Sequence, residues 1–154
     1  MLHINRERLL NNIKTLGKIG WAENKGLFRE SYSPAYFQAR DFLRQIMDEA
    51  GLETRVDSVG NLFGLLPGKS PGATRILTGS HLDAVSAGGI YDGAYGIVAS
   101  LEALLTIQEN GQELEHGLEV VSFIAEEGGP LGGTFGSRSF TGQMETPPVD
   151  DILQ

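Results

Sequence analysis

The stretch RILTGSHLDAVSAGGIYDGAYGIVASLEALLTIQEN, residues 75–110, decides the fold. Arg75 to Gly79 is a short, mostly apolar run that reads as a strand. From Ala94 to Asn110, Ile97, Val98, Leu101, Leu104, Leu105 and Ile107 recur on a helical period. Between the two lie a strand end carrying His81 and Asp83 and a glycine-rich loop from Gly88 to Gly93. A strand that passes through a loop into a helix with an apolar face is a building unit of an α/β sheet.

Working outward, Leu118 to Ala125 is nearly continuously apolar, as a strand covered on both faces would be. Upstream, Val56, Val59, Leu62, Phe63, Leu65 and Leu66 fall in short runs broken by Asp57 to Asn61, which predicts two strands joined by a turn and closed by Pro67-Gly68. Two helices precede them. Leu9, Leu10, Ile13, Leu16 and Ile19 carry the first, with Gly20 as its C-cap; Ser33-Pro34 opens the second, which runs to a Gly51 stop. A polar link containing Trp21 joins them. The expected class is an α/β sheet covered by helices, without internal repeats.

Composition narrows the function. The chain has 154 residues, the size of one ordinary domain, and a net charge of -8, a field that repels phosphate backbones and anionic lipid. Neither nucleic acid nor a membrane is therefore an expected partner. There is no cysteine, so any metal must be held by His, Asp and Glu. No run approaches the ~20 apolar residues of a membrane span, and Met1 to Gly20 lacks the apolar block of a signal peptide, which makes a cytoplasmic location the default.

The residues with chemical potential all follow predicted strands. His81 and Asp83 are two apart and leave on the same face, so the carboxylate can fix the imidazole by accepting its second N–H. Asp92, set among glycines just before the helix at Ala94, is placed where a loop can fold around an ion and where a carboxylate can bridge two metals. Glu126 and Glu127 end the apolar strand and point to opposite sides, which suits one for ligation and the other for accepting a proton from water. Each motif alone has an ordinary reading, as a solvated histidine, a turn aspartate or a polar strand end. Their order and their common position at strand-to-loop junctions argue for a site. Ser80, Ser137 and Ser139 have no partners of a nucleophile, and the glycines from Gly128 to Gly136 lack the lysine of a phosphate loop.

The segments GSHLDAVSAGGIYDGAYGIVASLEAL, VVSFIAEEGG and GSRSFTG, with RESYSPAYFQAR and VDSVGNLFGLLPG upstream, resemble the carbamoylase and allantoate amidohydrolase branch of the M20 metallopeptidase family over nearly the whole chain. The resemblance implies a zinc-peptidase-like catalytic domain with a mixed sheet flanked by helices, of which this is the amino-terminal portion. It implies two divalent metal ions, zinc or manganese with cobalt or nickel as further candidates, and a small ureido or amide substrate whose C–N bond is cleaved. His81 would ligate one metal, Glu127 the other, and Asp92 both; Glu126 would be the general base and Asp83 the orienter of His81. It also implies a cis peptide bond between Asp92 and Gly93. Residues 1–143 would be a partial catalytic domain and 144–154 a tail or cut connection. The dimerisation domain and the carboxyl-terminal catalytic half, with one more histidine for each metal, would lie beyond; full-length relatives are homodimers. His3 and His116 do not match those histidines, and Pro130-Leu131 stands where relatives carry an Arg-Phe pair. The rival expectation is a non-catalytic truncated remnant or binding module that keeps the fold.

Overall fold

The computed structural model describes residues 1–144 apart from 71, 73 and 130; the expected tail falls almost wholly outside the described residues, as does Pro130. Helix α1, Arg6–Lys18, starts where the Asn5 side chain accepts the Arg8 amide, and Glu7 and Lys18 sit at the ends that favour their charges. Helix α2, Pro34–Glu49, has proline in its first turn and a Ser33 cap that accepts the Tyr36 amide. The polar link between them contains a small hairpin that the sequence did not announce, β1 (Trp21–Ala22) and β2 (Gly26–Leu27). Two-residue strands are too short to leave a period.

The main sheet follows: β3 (Glu53–Val56), β4 (Leu62–Leu66), β5 (Arg75–His81) and, after α3 (Ala94–Glu109), β6 (Gly117–Phe123). A final short helix, α4, spans Phe135–Phe140 inside a glycine-rich stretch that carried no helical signal. The sheet order is β3-β4-β6-β5, with β3/β4 and β4/β6 antiparallel and β5/β6 parallel. It is a mixed α/β sheet flanked by helices, as expected. Among the described residues no helix is long and apolar enough to cross a membrane.

One face of the sheet carries the main core, where Leu62, Val120 and Ile124 meet Leu16 of α1, Tyr36, Leu43 and Met47 of α2, and Ile97 and Leu101 of α3. The alternate residues face the other way. There Phe140 of α4 packs 5.6 Å from Phe63 and 5.8 Å from Phe123, ring centre to ring centre. Buried Glu119 on the same face pairs with Arg55 of β3 and Arg75 of β5 at 3.1 and 3.2 Å.

Helices α1 and α3 are joined by charge. Arg8 donates through Nε to Glu102 at 2.7 Å and also engages Glu109, while the Asn5 amide and the Thr106 hydroxyl complete the partners of Glu102, which is only 2% exposed. Burial by itself would raise the Glu102 pKa, but the bonds from Arg8, Asn5 and Thr106 outweigh it and hold the carboxyl below its ordinary value. A depressed folded pKa stabilises the fold above the unfolded value of about 4.3, and that stability is lost as pH falls through the depressed one. Arg8→Met is expected to cost about 2–3 kcal/mol near neutrality, because a buried carboxylate loses its charged partner. Thermal unfolding followed down to about pH 3 should show the variant losing less stability in acid than the parent.

Candidate metal centre

Strands β5 and β6 run parallel with His81 opposite Phe123, so both chains leave the sheet at the same level and their carboxyl ends share one rim. Loops at that rim of an α/β sheet are where ligands bind. Past β6 the chain turns sharply at Ala125, whose φ of +55° is uncommon for a residue with a side chain. It then loops out and returns: Thr134 donates to the Glu126 carbonyl, Phe135 to Ala125 and Gly136 to Ile124, each at 2.9 Å. Buried Asn61 clamps the base of this loop, accepting the Ile124 amide at 3.0 Å and donating to the Gly136 carbonyl at 3.1 Å.

These turns bring three of the expected ligands together. His81 Nε2 lies 3.7 Å from Asp92 Oδ1 and 3.8 Å from Glu127 Oε1, and one ligand atom from each residue falls within 4.8 Å of the others. His81 Nδ1 is 3.0 Å from the Asp83 backbone carbonyl. A carbonyl only accepts, so Nδ1 carries a proton and Nε2 is the ring nitrogen turned toward the two carboxylates.

Asp83 has a different set of contacts from the one expected. Its carboxylate is 3.8 Å from His81 Nδ1 and instead accepts the amides of Glu126 at 3.3 Å and Glu127 at 2.9 Å. The backbone of Asp83 thus touches the imidazole, and its side chain holds the neighbouring strand's exit. Glu126 lies apart from the three clustered ligands. Its two oxygens accept the Ser137 amide and hydroxyl, both at 2.7 Å, so the two glutamates do face different partners.

The Asp92–Gly93 peptide is trans, and no cis bond occurs among the described residues, contrary to the expectation. The redirection falls to Gly93 itself. With φ +61° and ψ -53° it forms a γ-turn in which the Ala94 amide donates back to the Asp92 carbonyl. A Cβ at Gly93 would also lie 2.4 Å from the His81 carbonyl and 2.5 Å from its ring. Only glycine satisfies both the turn and the close approach.

Burial raises the Glu127 pKa, and nearby Asp92 and Asp83 raise it further while His81 opposes them. Like charges that repel one another favour a cation among them. Beside the cluster opens a cleft of about 540 Å³ lined by Glu30, Tyr32, Asp83, Val85, Glu127 and Leu131. Behind it lies Arg29, wholly buried, whose guanidinium donates to the carbonyls of Leu82 at 2.8 Å and Leu16 at 2.7 Å. Burial lowers its pKa to about 10, with Asp83 opposing. Arg29, Asn61 and Ser137 were given no role by sequence reasoning. All three lie within the segments that carry the resemblance, which was the available signal, but their partners are remote in sequence.

Residues 61–153 match the family model of peptidase family M28. The chain is 40% identical over 146 residues to the N-carbamoyl-L-amino acid amidohydrolase of Geobacillus stearothermophilus, covering 94% of this chain and 35% of that protein. It is 38% identical over 138 residues to the allantoate amidohydrolase of Bacillus subtilis (strain 168), covering 89% and 34%. A crystal structure of a hydantoinase/carbamoylase family amidase from Burkholderia ambifaria superposes with a TM-score of 0.88 at 36% identity, covering 99% of this chain and 37% of that one. The chain thus spans about a third of the length of these relatives, and the carbamoylase and allantoate amidohydrolase branch read from its motifs is where they fall. With the matched segment extending over more than half of its residues, the chain belongs to peptidase family M28.

Proposed function

We propose that residues 1–143 are part of the catalytic domain of a cytoplasmic, metal-dependent amidohydrolase that cleaves the C–N bond of N-carbamoyl amino acids, allantoate or similar linear ureido acids. The assignment to the M20 family, distinct from the matched M28 model, belongs to the same proposal. The observation that carries it is the convergence of His81, Asp92 and Glu127 within 4.8 Å at the rim of the sheet. One imidazole and two carboxylates suit zinc, manganese, cobalt or nickel, and three protein ligands are what a catalytic zinc ordinarily has. Two ions sharing Asp92 would need ligands beyond these three.

A divalent ion held there supplies a water nucleophile at neutral pH and draws charge from the scissile carbonyl. The chain's own groups do the rest. His81, fixed through Nδ1, presents Nε2; Asp92, aimed by the Gly93 turn, faces it; Glu127 is brought opposite by the hydrogen bond its amide donates to the Asp83 carboxylate. Glu126 is the proposed base. A carboxylate accepts about four hydrogen bonds, so the two from Ser137 leave its oxygens able to take a proton. The cleft beside the cluster would receive the substrate, with the Glu30 carboxylate and Ser86 hydroxyl, 2.7 Å apart, among its polar groups.

Calorimetry with zinc and with manganese on this 154-residue chain should show weak uptake of a single ion, lost in His81→Ala. Ammonia release from N-carbamoyl amino acids or allantoate should be slow or absent. Tight uptake of two ions with robust turnover would overturn the claim that further ligands are needed, and no uptake by a folded chain would favour a binding module.

Gly93→Ala should abolish ion uptake and lower the melting temperature, since the turn at positive φ alone costs about 1–3 kcal/mol for a residue with a side chain. A variant melting like the parent with unchanged affinity would show that Gly93 does not aim Asp92.

A further inference from the structure

The residues that touch the candidate centre are themselves held by a deeper one. The Arg29 side chain is 0% exposed. Its Nε–H donates to the Leu82 carbonyl at 2.8 Å, and its own carbonyl accepts the Ala84 amide at 3.1 Å, so this one residue grips the chain on both sides of Asp83. Nη1 donates to Leu16 at the end of α1 at 2.7 Å, which anchors the grip in the core. No carboxylate is hydrogen-bonded to the guanidinium among the described residues, although Asp83 is the acidic group whose charge opposes the cost of burying it. A buried cation is expensive where an apolar side chain of similar volume would pack at lower cost. Its presence here calls for a task other than filling space.

We propose that Arg29 is a positioning residue for the metal centre: it fixes the His81–Leu82–Asp83 turn and balances the Asp83 charge, so that Asp83 can hold the amides of Glu126 and Glu127 and set Glu127 opposite His81. Two strand exits are thereby coupled through one charge. Arg29 donates to Leu82, Leu82 sits between His81 and Asp83, and Asp83 accepts from both glutamates. This rests on reading the cluster as a metal centre, but the mechanical part of it is present without an ion.

The test uses isotope-labelled chain as parent, Arg29→Lys, Asp83→Asn and the double variant, with two readouts. The first is amide hydrogen exchange at Glu126 and Glu127 in the absence of metal. Arg29→Lys should speed exchange at these two amides about tenfold or more while the amides of β4 and α3 keep their rates. The second is zinc affinity, which should fall about 10- to 100-fold, the usual consequence of disturbing a residue that supports a ligand. Asp83→Asn should give the same pattern, and the double variant should add little to either single one, because both act through one connection. A folded Arg29→Lys chain with unchanged exchange at Glu126 and Glu127, or losses that simply add in the double variant, would overturn the proposal. Should neither variant fold, the Arg29 Nε–H signal of the parent decides: it should move together with the Glu127 amide when zinc is added, and a stationary signal refutes the coupling. Failure of the parent chain to take up zinc would sink the metal reading alone, with the exchange rates still deciding whether Arg29 governs the glutamate loop.

Discussion

The Asp83 carboxylate is the contact on which the rest of the candidate centre depends. It is 1% exposed and accepts two backbone amides, those of Glu126 and Glu127, across the gap between two strand exits. A buried carboxylate must find donors, and charge-assisted bonds to amides are among the stronger ones available. Once Asp83 is fixed, its carbonyl fixes the His81 tautomer and its side chain fixes Glu127. The imidazole and the glutamate then face each other without either touching Asp83 through its own reactive atom. Asp83 acts by geometry, which is why it can sit so close to the cluster and remain buried when Asp92 is 65% exposed.

That contact is available only because of the sheet's topology. Parallel neighbours β5 and β6 leave the sheet at the same end, and their register, His81 beside Phe123, sets the two exits level. An antiparallel pairing would have sent them to opposite rims. The antiparallel pair β4/β6 contributes differently, bringing the turn before β4 to the same rim so that Asn61 reaches Ile124 and Gly136. The mixed character of the sheet therefore has a local use, supplying both the shared rim and the clamp that holds the returning loop.

Much of this was legible in the sequence, and what was not has physical reasons. The helical periods and the Ser33-Pro34 start fixed α1 and α2, although α1 is capped at Ile19 one residue before the expected Gly20, and the apolar run ending at Glu126-Glu127 placed β6, because those signals are local. His81, Asp92 and the Glu126-Glu127 pair could be named from their junction positions, and the family resemblance singled out Glu127 as the ligand of the two. Arg29 and Asp83 were harder. Arg29 meets Leu82 across 53 positions and Asp83 meets Glu127 across 44, and no short-range pattern encodes a buried guanidinium or a carboxylate bonded to remote amides. The expected cis bond illustrates a second limit. Backbone has more than one means of turning after Asp92, and the glycine at positive φ found there costs less than a non-proline cis bond at ~2.5–4 kcal/mol. The hairpin β1/β2 and helix α4 were too short, or too rich in glycine, to leave a period.

The departures from local preference collect around this rim. Ala125 and Thr134 hold φ of +55° and +58° at the two sides of the loop that carries Glu127, and Ala87 holds +59° in the segment leading to Asp92. Elsewhere α1, α2 and the sheet follow ordinary propensity and patterning. Strained residues persist only where surrounding structure over-determines them, and here the surroundings are Asn61, Asp83 and the core beneath α3. The same place gathers acidic groups: Asp92 and Glu127 face one another across a single imidazole, with Asp83 behind, and burial, reinforced by these neighbouring charges, holds the Glu127 carboxyl above its ordinary pKa. Strain and like-charge repulsion both lower the stability of the apo fold. A cation bound to the folded cluster, where these ligands are already assembled, would relieve the repulsion and stabilise the folded state by mass action. The rim is thus the part of the fold with most to gain from a divalent ion, and its conformational tension is what a binding site assembled before its ligand arrives would have to carry.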